Sequence, residues 1–278
     1  MKNFFLKNIK SNFIADDKDH LLITQLFFIK AFPTLKLDSF LETEEDVTQK
    51  ISVVGETILS FNTIAGSILR LSSFNGNLPN DLDEPFFDGG ENRLALILNT
   101  ENNVPNSIKE LITEYHDLYH SFANFMPFPA TERNAINYVK ASKYHDFPEN
   151  FLQDYREFFF ENKSNANFAK IIKTSNTNNF FNSFSSWSDF VEELCLQPFF
   201  EDDNYLISKK IMPKLEKYDF DFPYKTNSYI KLINQNKDSS LLKQYKDECS
   251  KEINYFLVEA IKIIKHRSYL LKEKNISF

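Results

Sequence analysis

The chain has 278 residues, 42% of them hydrophobic, so it can bury a sizeable core without disulfides or a structural metal. Its two cysteines, Cys195 and Cys249, have neither the number nor the spacing of a disulfide framework or a four-thiolate metal site. The formal net charge of −7, from 39 acidic and 32 Lys or Arg residues, disfavours binding to nucleic acid.

Taken in order, the chain reads as a single mainly helical domain over 1–278, with an N-terminal extension at 1–45. In the extension Lys2, Lys7 and Lys10 interrupt the apolar residues, which is not the pattern of a signal peptide. Leu21 to Phe32 contains Gln25 and Lys30 and falls short of the roughly 20 apolar residues a bilayer crossing needs. No membrane insertion is expected, and a cytoplasmic location follows. From Thr57, the spacing of Ile58, Phe61, Ile64, Ile68 and Leu71 predicts a helix that the cluster from Asn75 to Pro79 ends. The run Leu94 to Leu98 reads as a buried strand or a helical turn.

Pro105 and Ser107-x-x-Glu110 open the next predicted helix, which carries Ile108, Leu111, Ile112, Tyr115, Tyr119 and Phe122 on one face. It is expected to run to about Phe125, where Pro127 and Pro129 stop it. A helix after Pro148 uses Leu152, Tyr155, Phe158 and Phe159, and an exposed connection is expected at 162–182. Ser186-x-x-Asp189 caps a helix bearing Trp187, Phe190, Val191 and Leu194. The last predicted helix spans Ser240 to Glu273, with Phe256, Leu257, Ala260, Ile261 and Ile264 as its apolar stripe. The expected fold is therefore mainly α: a compact multi-helix domain with at most a few short strands. Thirty Phe against five Gly fit a helical core packed with aromatic rings.

The phrases Gly55-Glu56-Thr57-Ile58-Leu59-Ser60-Phe61 and His120-Ser121-Phe122-Ala123-Asn124-Phe125-Met126-Pro127-Phe128-Pro129 stand out, and further segments follow them in order. These are Asn137, Asp146-Phe147, Trp187 through Leu196-Gln197, and Ile264-Lys265-His266-Arg267-Ser268. Together they resemble an uncharacterised bacterial family with Gly-Asp-Thr-x-x-Ser-Phe and His-Thr-Ile-Gly-Asn-Phe-x-Pro-x-Pro patterns. The chain departs from that pattern with Glu56 for Asp, Ala123 for Gly, Lys140-Ala141 for Arg-Gly and Ser268 for Gly. The resemblance implies a shared fold and brings no known activity.

His116-Asp117-Leu118-Tyr119-His120 carries the sharpest chemistry, since two imidazoles four residues apart on a helix can ligate one metal ion. His116 and His120 would hold a divalent metal such as zinc, with Asp117 where zinc peptidases carry Glu; Asp88, Glu91, His145 and Asp146 are candidates for a third ligand. On a continuous helix, Asp117, His120 and Asn124 would share one side. Glu56 and Asp146 could then supply an acid or base beside that stripe, with Arg267 pairing an anionic ligand. The bland account of the same residues is structural: an exposed helix face for the histidines, helix starts at Glu56 and Asp146, and Arg267 as a cap or cross-link.

The leading expectation is a binding or interaction protein that takes a protein partner or small ligand at a polar cleft. That cleft would gather Glu56, His120, Asn124, Asp146 and Arg267. A metal-dependent hydrolase with His116 and His120 as ligands and Asp117 or Glu56 as base is the alternative. A third reading, a defence or stress effector, rests only on the orphan character of the family.

Overall fold

A computed structural model describes residues 22–35, 53–59, 106–119, 121–129, 152, 155–164, 180–205 and 240–274. The expected segments at Leu94–Leu98 and around Asn137 and Asp146 lie outside them. The described elements are helix α1 (Leu22–Ala31), strand β1 (Val53–Thr57), helix α2 (Asn106–Tyr119), strand β2 (Phe125–Pro129), helix α3 (Trp187–Glu193) and helix α4 (Ser240–Glu273). Single turns of tighter helix at Pro33–Leu35, Phe122–Asn124 and Gln197–Phe199, and a π-helical turn at Arg156–Phe160, join them. The protein is mainly helical, as its periodicity predicts. No described helix is long and apolar enough to cross a membrane.

Two expectations about helix limits are overturned, and they are linked. The helix from Asn106 stops at Tyr119 instead of running to Phe125, and Thr57 ends a strand instead of starting a helix. Phe125 to Pro129 pairs antiparallel with Val53 to Thr57, placing Thr57 opposite Phe125, Gly55 opposite Pro127 and Val53 opposite Pro129. The bond from the Ile58 N–H to the Asn124 carbonyl (2.8 Å) sets the alternation of this ribbon. Even-numbered residues of β2 face β1 with their backbone groups, and odd-numbered ones face away. Pro127 and Pro129 therefore forfeit only donors on the outer side, a position where an edge strand tolerates proline. The prolines break a helix, as read from sequence, and here they do so by admitting an edge strand.

The core forms where α2 and the Phe122–Asn124 turn pack on α4. From α2 come the buried Ile108, Ile112, Tyr115 and Leu118; from α4 come Phe256, Leu257, Ala260, Ile261, Ile264 and Leu271. Tyr115 meets Phe256 edge to face at 6.2 Å, while Phe27 of α1 stacks on Phe122 at 4.2 Å. A second aromatic group radiates from Phe181, which stacks on Phe159 at 3.7 Å and also meets Tyr155, Phe160, Phe180 and Phe190. Phe180 and Phe181 thus bury the C-terminal side of the segment expected as an exposed connection, whereas Asn162 to Ser164 are exposed.

Helix α3 starts as its sequence indicates. Ser186 accepts a hydrogen bond from the Asp189 N–H at 3.1 Å, and the Asp189 carboxylate reaches back to the Ser185 N–H at 2.7 Å. This is a capping box shifted by one residue on its return arm. Replacing Phe181 with Ala removes the ring at the centre of the second group and is expected to destabilise the fold by about 3–5 kcal/mol. Denaturant unfolding checks this; a loss under about 1 kcal/mol would show that Phe181 is no centre of packing.

Candidate functional site

The polar residues singled out in the sequence divide sharply by burial. Arg267 and Asn124 are fully buried, whereas Asp117 has 71% of its side chain exposed and His116 has 30%. Because α2 ends at Tyr119, Asn124 belongs to the tight turn after the helix and does not continue a stripe from Asp117. Glu56 is described by its backbone alone, opposite Met126 in the ribbon. His120, Asp146, Asp88, Glu91 and His145 lie outside the described residues, so no ligand set around His116 can be built from them. The His116 Nδ1 lies 3.8 Å from the Asp117 carboxylate at the surface. Among the described residues no group of three His, Cys, Asp or Glu side chains is arranged to hold a metal ion.

Asn124 substitutes for backbone at the end of the ribbon. Its Oδ1 accepts from the Leu59 N–H at 3.0 Å, and its Nδ2 donates to the Leu59 and Tyr119 carbonyls, each at 2.8 Å. The amide therefore extends the β1–β2 pairing by one rung and ties the end of α2 to it. Tyr115 adds its hydroxyl to the Leu59 carbonyl at 3.2 Å.

Arg267 sits on the apolar stripe of α4, between Ile264 and Leu271, and meets main-chain carbonyls on two sides. Nη1 donates to Ala123 at 2.9 Å and Phe125 at 2.6 Å, with a longer contact to Phe122 at 3.5 Å. Nε and Nη2 both donate to Leu194, at 3.2 and 2.9 Å. Phe125 is an outward-facing residue of β2, so its carbonyl points away from β1 and accepts from the guanidinium. Burial pushes Arg267 down to about 10, which still leaves it charged at neutral pH. The cation is held by carbonyl dipoles; among the described residues no carboxylate pairs with it.

The Leu194 carbonyl is available because of how α3 ends. The Leu196 N–H bonds to the Val191 carbonyl at 2.8 Å and the Cys195 N–H to the Glu192 carbonyl at 3.2 Å. These are the two bonds of a Schellman cap, with Cys195 at the left-handed position (φ 54°) that glycine usually takes. One face of α4 supplies both cations to this end. Arg267 takes the Leu194 carbonyl, and Lys274, two turns on, takes the Glu193 carbonyl and pairs with the Glu193 carboxylate at 3.2 Å. Lys274 also lies 5.4 Å from the centre of the Phe32 ring, and Thr34 donates to Glu193, which ties in the end of α1. Burial pushes the Cys195 thiol above its ordinary range, so it is not poised as a nucleophile.

No protein-family model, curated protein or solved structure matches the chain. The segments 53–57, 122–129, 194–197 and 264–268, far apart in sequence, meet around Arg267 and the ribbon. The sequence did carry a signal for this: an arginine at a position where the helical period demands an apolar residue. What it lacked was the identity of the acceptors, since carbonyls carry no side-chain signature.

Arg267→Ala removes the donor that joins the Leu194 carbonyl to those of Ala123 and Phe125 and is expected to destabilise the protein by at least about 3 kcal/mol. Arg267→Lys is expected to recover less than half of that, because an ammonium cannot span Leu194 and Phe125 together. Thermal and denaturant unfolding of the pair checks both; a fully stable Arg267→Lys protein would dismiss the two-sided clamp. At the cap, Cys195→Gly is expected to be more stable than Cys195→Ala by about 1 kcal/mol, since only glycine takes positive φ without strain. Equal stabilities would show that the left-handed turn carries no cost.

Proposed function

We propose that the chain is a protein-binding module that works through the outer face of α4. One observation carries this reading: among the described residues, the exposed large hydrophobic side chains are Tyr255 and Tyr269, at 49% and 58% exposure, and both lie on that face. Fourteen residues of helix separate them, about 21 Å along the axis. Tyrosine is enriched at protein interfaces because it combines a large apolar ring with a polar tip and little rotamer entropy.

The inward-facing polar groups support the same reading. Asn124 and Arg267 spend their hydrogen bonds on main-chain groups and are closed to solvent, which favours a structural use over capture of an anionic ligand. The resemblance to an uncharacterised bacterial family fits this picture, since the phrases that carry it include the ribbon strands and the Arg267 segment. A metal-dependent hydrolase would instead use the half-exposed His116 together with His120.

The test is to place a photo-crosslinking aromatic residue at position 255 or 269, and at buried Leu271 as control, in the producing cells. Discrete protein adducts are expected at both tyrosine positions and absent at Leu271. No adduct at either tyrosine would overturn the reading. So would near-stoichiometric bound metal that is lost, with folding intact, in His116→Ala.

A further inference from the structure

The outward arc of α4 carries more than two tyrosines, and its charges have an order. At about 100° per residue, Lys251, Tyr255, Glu259, Lys262, His266, Tyr269 and Glu273 all fall within roughly 60° of the direction of Lys262. The opposite arc holds Phe256, Leu257, Ala260, Ile261, Ile264, Arg267 and Leu271, all buried against the rest of the molecule. The helix is therefore spoken for on one side, while on the other Lys251, Tyr255, Lys262, His266, Tyr269 and Glu273 are exposed and Glu259 is half-buried.

The sequence of the open side is symmetric in chemistry about Lys262. Tyr255 and Tyr269 stand seven residues before and after it, Lys251 and Glu273 eleven before and after, and Glu259 and His266 three before and four after. If a second α4 lies antiparallel on the first, with a two-fold axis at Lys262, each of these residues meets the other member of its set. Ring faces ring, Lys251 faces Glu273, and Glu259 faces His266, each contact occurring twice. At the axis the two Lys262 side chains do not meet as bare cations, because each is bound to its own Glu259 at 2.8 Å. The strip carries Lys251, Lys262, Glu259 and Glu273, and Lys265 at its rim is paired with Glu114, so it is close to neutral, while the whole chain carries −7. It is a place where like copies can approach without the repulsion their net charge imposes elsewhere.

We infer that the occupant of this face is a second copy of the same chain, paired antiparallel through α4 about a two-fold axis at Lys262. An isologous contact needs a self-complementary patch, and the order of charges and rings supplies one. This rests on the protein-binding reading above and names its partner. A single pair of helices buries less than the roughly 1,600 Å² of a standard stable interface, so the contact exchanges rapidly and must be trapped to be read.

Cysteine trapping tests the geometry in the full chain with Cys249→Ser as background, Cys195 being buried. Lys262→Cys is expected to form a disulfide-linked dimer under mild oxidation, because the axis brings the residue against itself. Tyr255→Cys and Tyr269→Cys are each expected to stay monomeric alone and to cross-link when mixed. Lys272→Cys, exposed but off the strip, serves as the collision control. Adding Tyr269→Glu to Lys262→Cys should cut the dimer yield by about tenfold, the effect of losing one aromatic anchor. Positions 255, 262, 269 and 272 are all exposed, so folding is not at stake there. Failure of Lys262→Cys to dimerise, or cross-linking at position 272 just as fast, overturns the inference. If dimers are absent while the photo-adducts at 255 and 269 persist with another protein, the second copy is wrong and the protein-binding reading survives. If the adducts vanish too, both fall.

Discussion

A positive charge closed to solvent, with no carboxylate paired to it among the described residues, constrains everything around it. Arg267 is that charge, and desolvating a guanidinium costs several kcal/mol even after the protein relaxes. The protein offsets this with main-chain carbonyls from two separate segments, at Ala123 and Phe125 on one side and Leu194 on the other. Hydrogen bonds from a charged donor contribute about 1.5–3 kcal/mol each, so the shorter bonds here are of the size needed. The consequence is positional. The end of α3, the turn after α2 and the outer edge of β2 must all stand at fixed distances from one turn of α4.

Each of those three segments is shaped to turn a carbonyl toward α4. The Schellman cap at Cys195 binds the Val191 and Glu192 carbonyls internally and leaves those of Glu193 and Leu194 to α4. The β1–β2 ribbon has no third strand beyond β2 among the described residues, and the Phe125 carbonyl on that outer edge accepts from Arg267. Asn124 closes the other side by imitating backbone toward Leu59. Cations at the end of α3 also oppose the partial negative charge that its carbonyls accumulate.

The aromatic excess works through geometry more than through bulk. Stacked and edge-to-face contacts around Phe181, Phe190 and Trp187 contribute about 0.5–1.5 kcal/mol per pair beyond the area they bury. They hold the short helix α3, too short to be stable alone, in the register Arg267 requires. Local helix propensity, ring packing and the buried cation thus support one arrangement, while the opposite face of α4 is left to solvent with its tyrosines and alternating charges.

Periodicity alone determined the helical class, the limits of α4, the start of α2 and the capped start of α3, because these depend on residues within a few positions of one another. The ends of α2 and the fate of residues 53–59 were decided only by tertiary structure. Pro127 and Pro129 signal that a helix stops but not that a strand follows, since the strand exists only against a partner some seventy residues earlier. Of the candidate site, Asn124 and Arg267 were legible as unusual, the first by its motif and the second by its place on an apolar stripe. Their roles were not, because both act on backbone carbonyls and amides that every residue possesses, and only the folded chain selects which ones lie within reach.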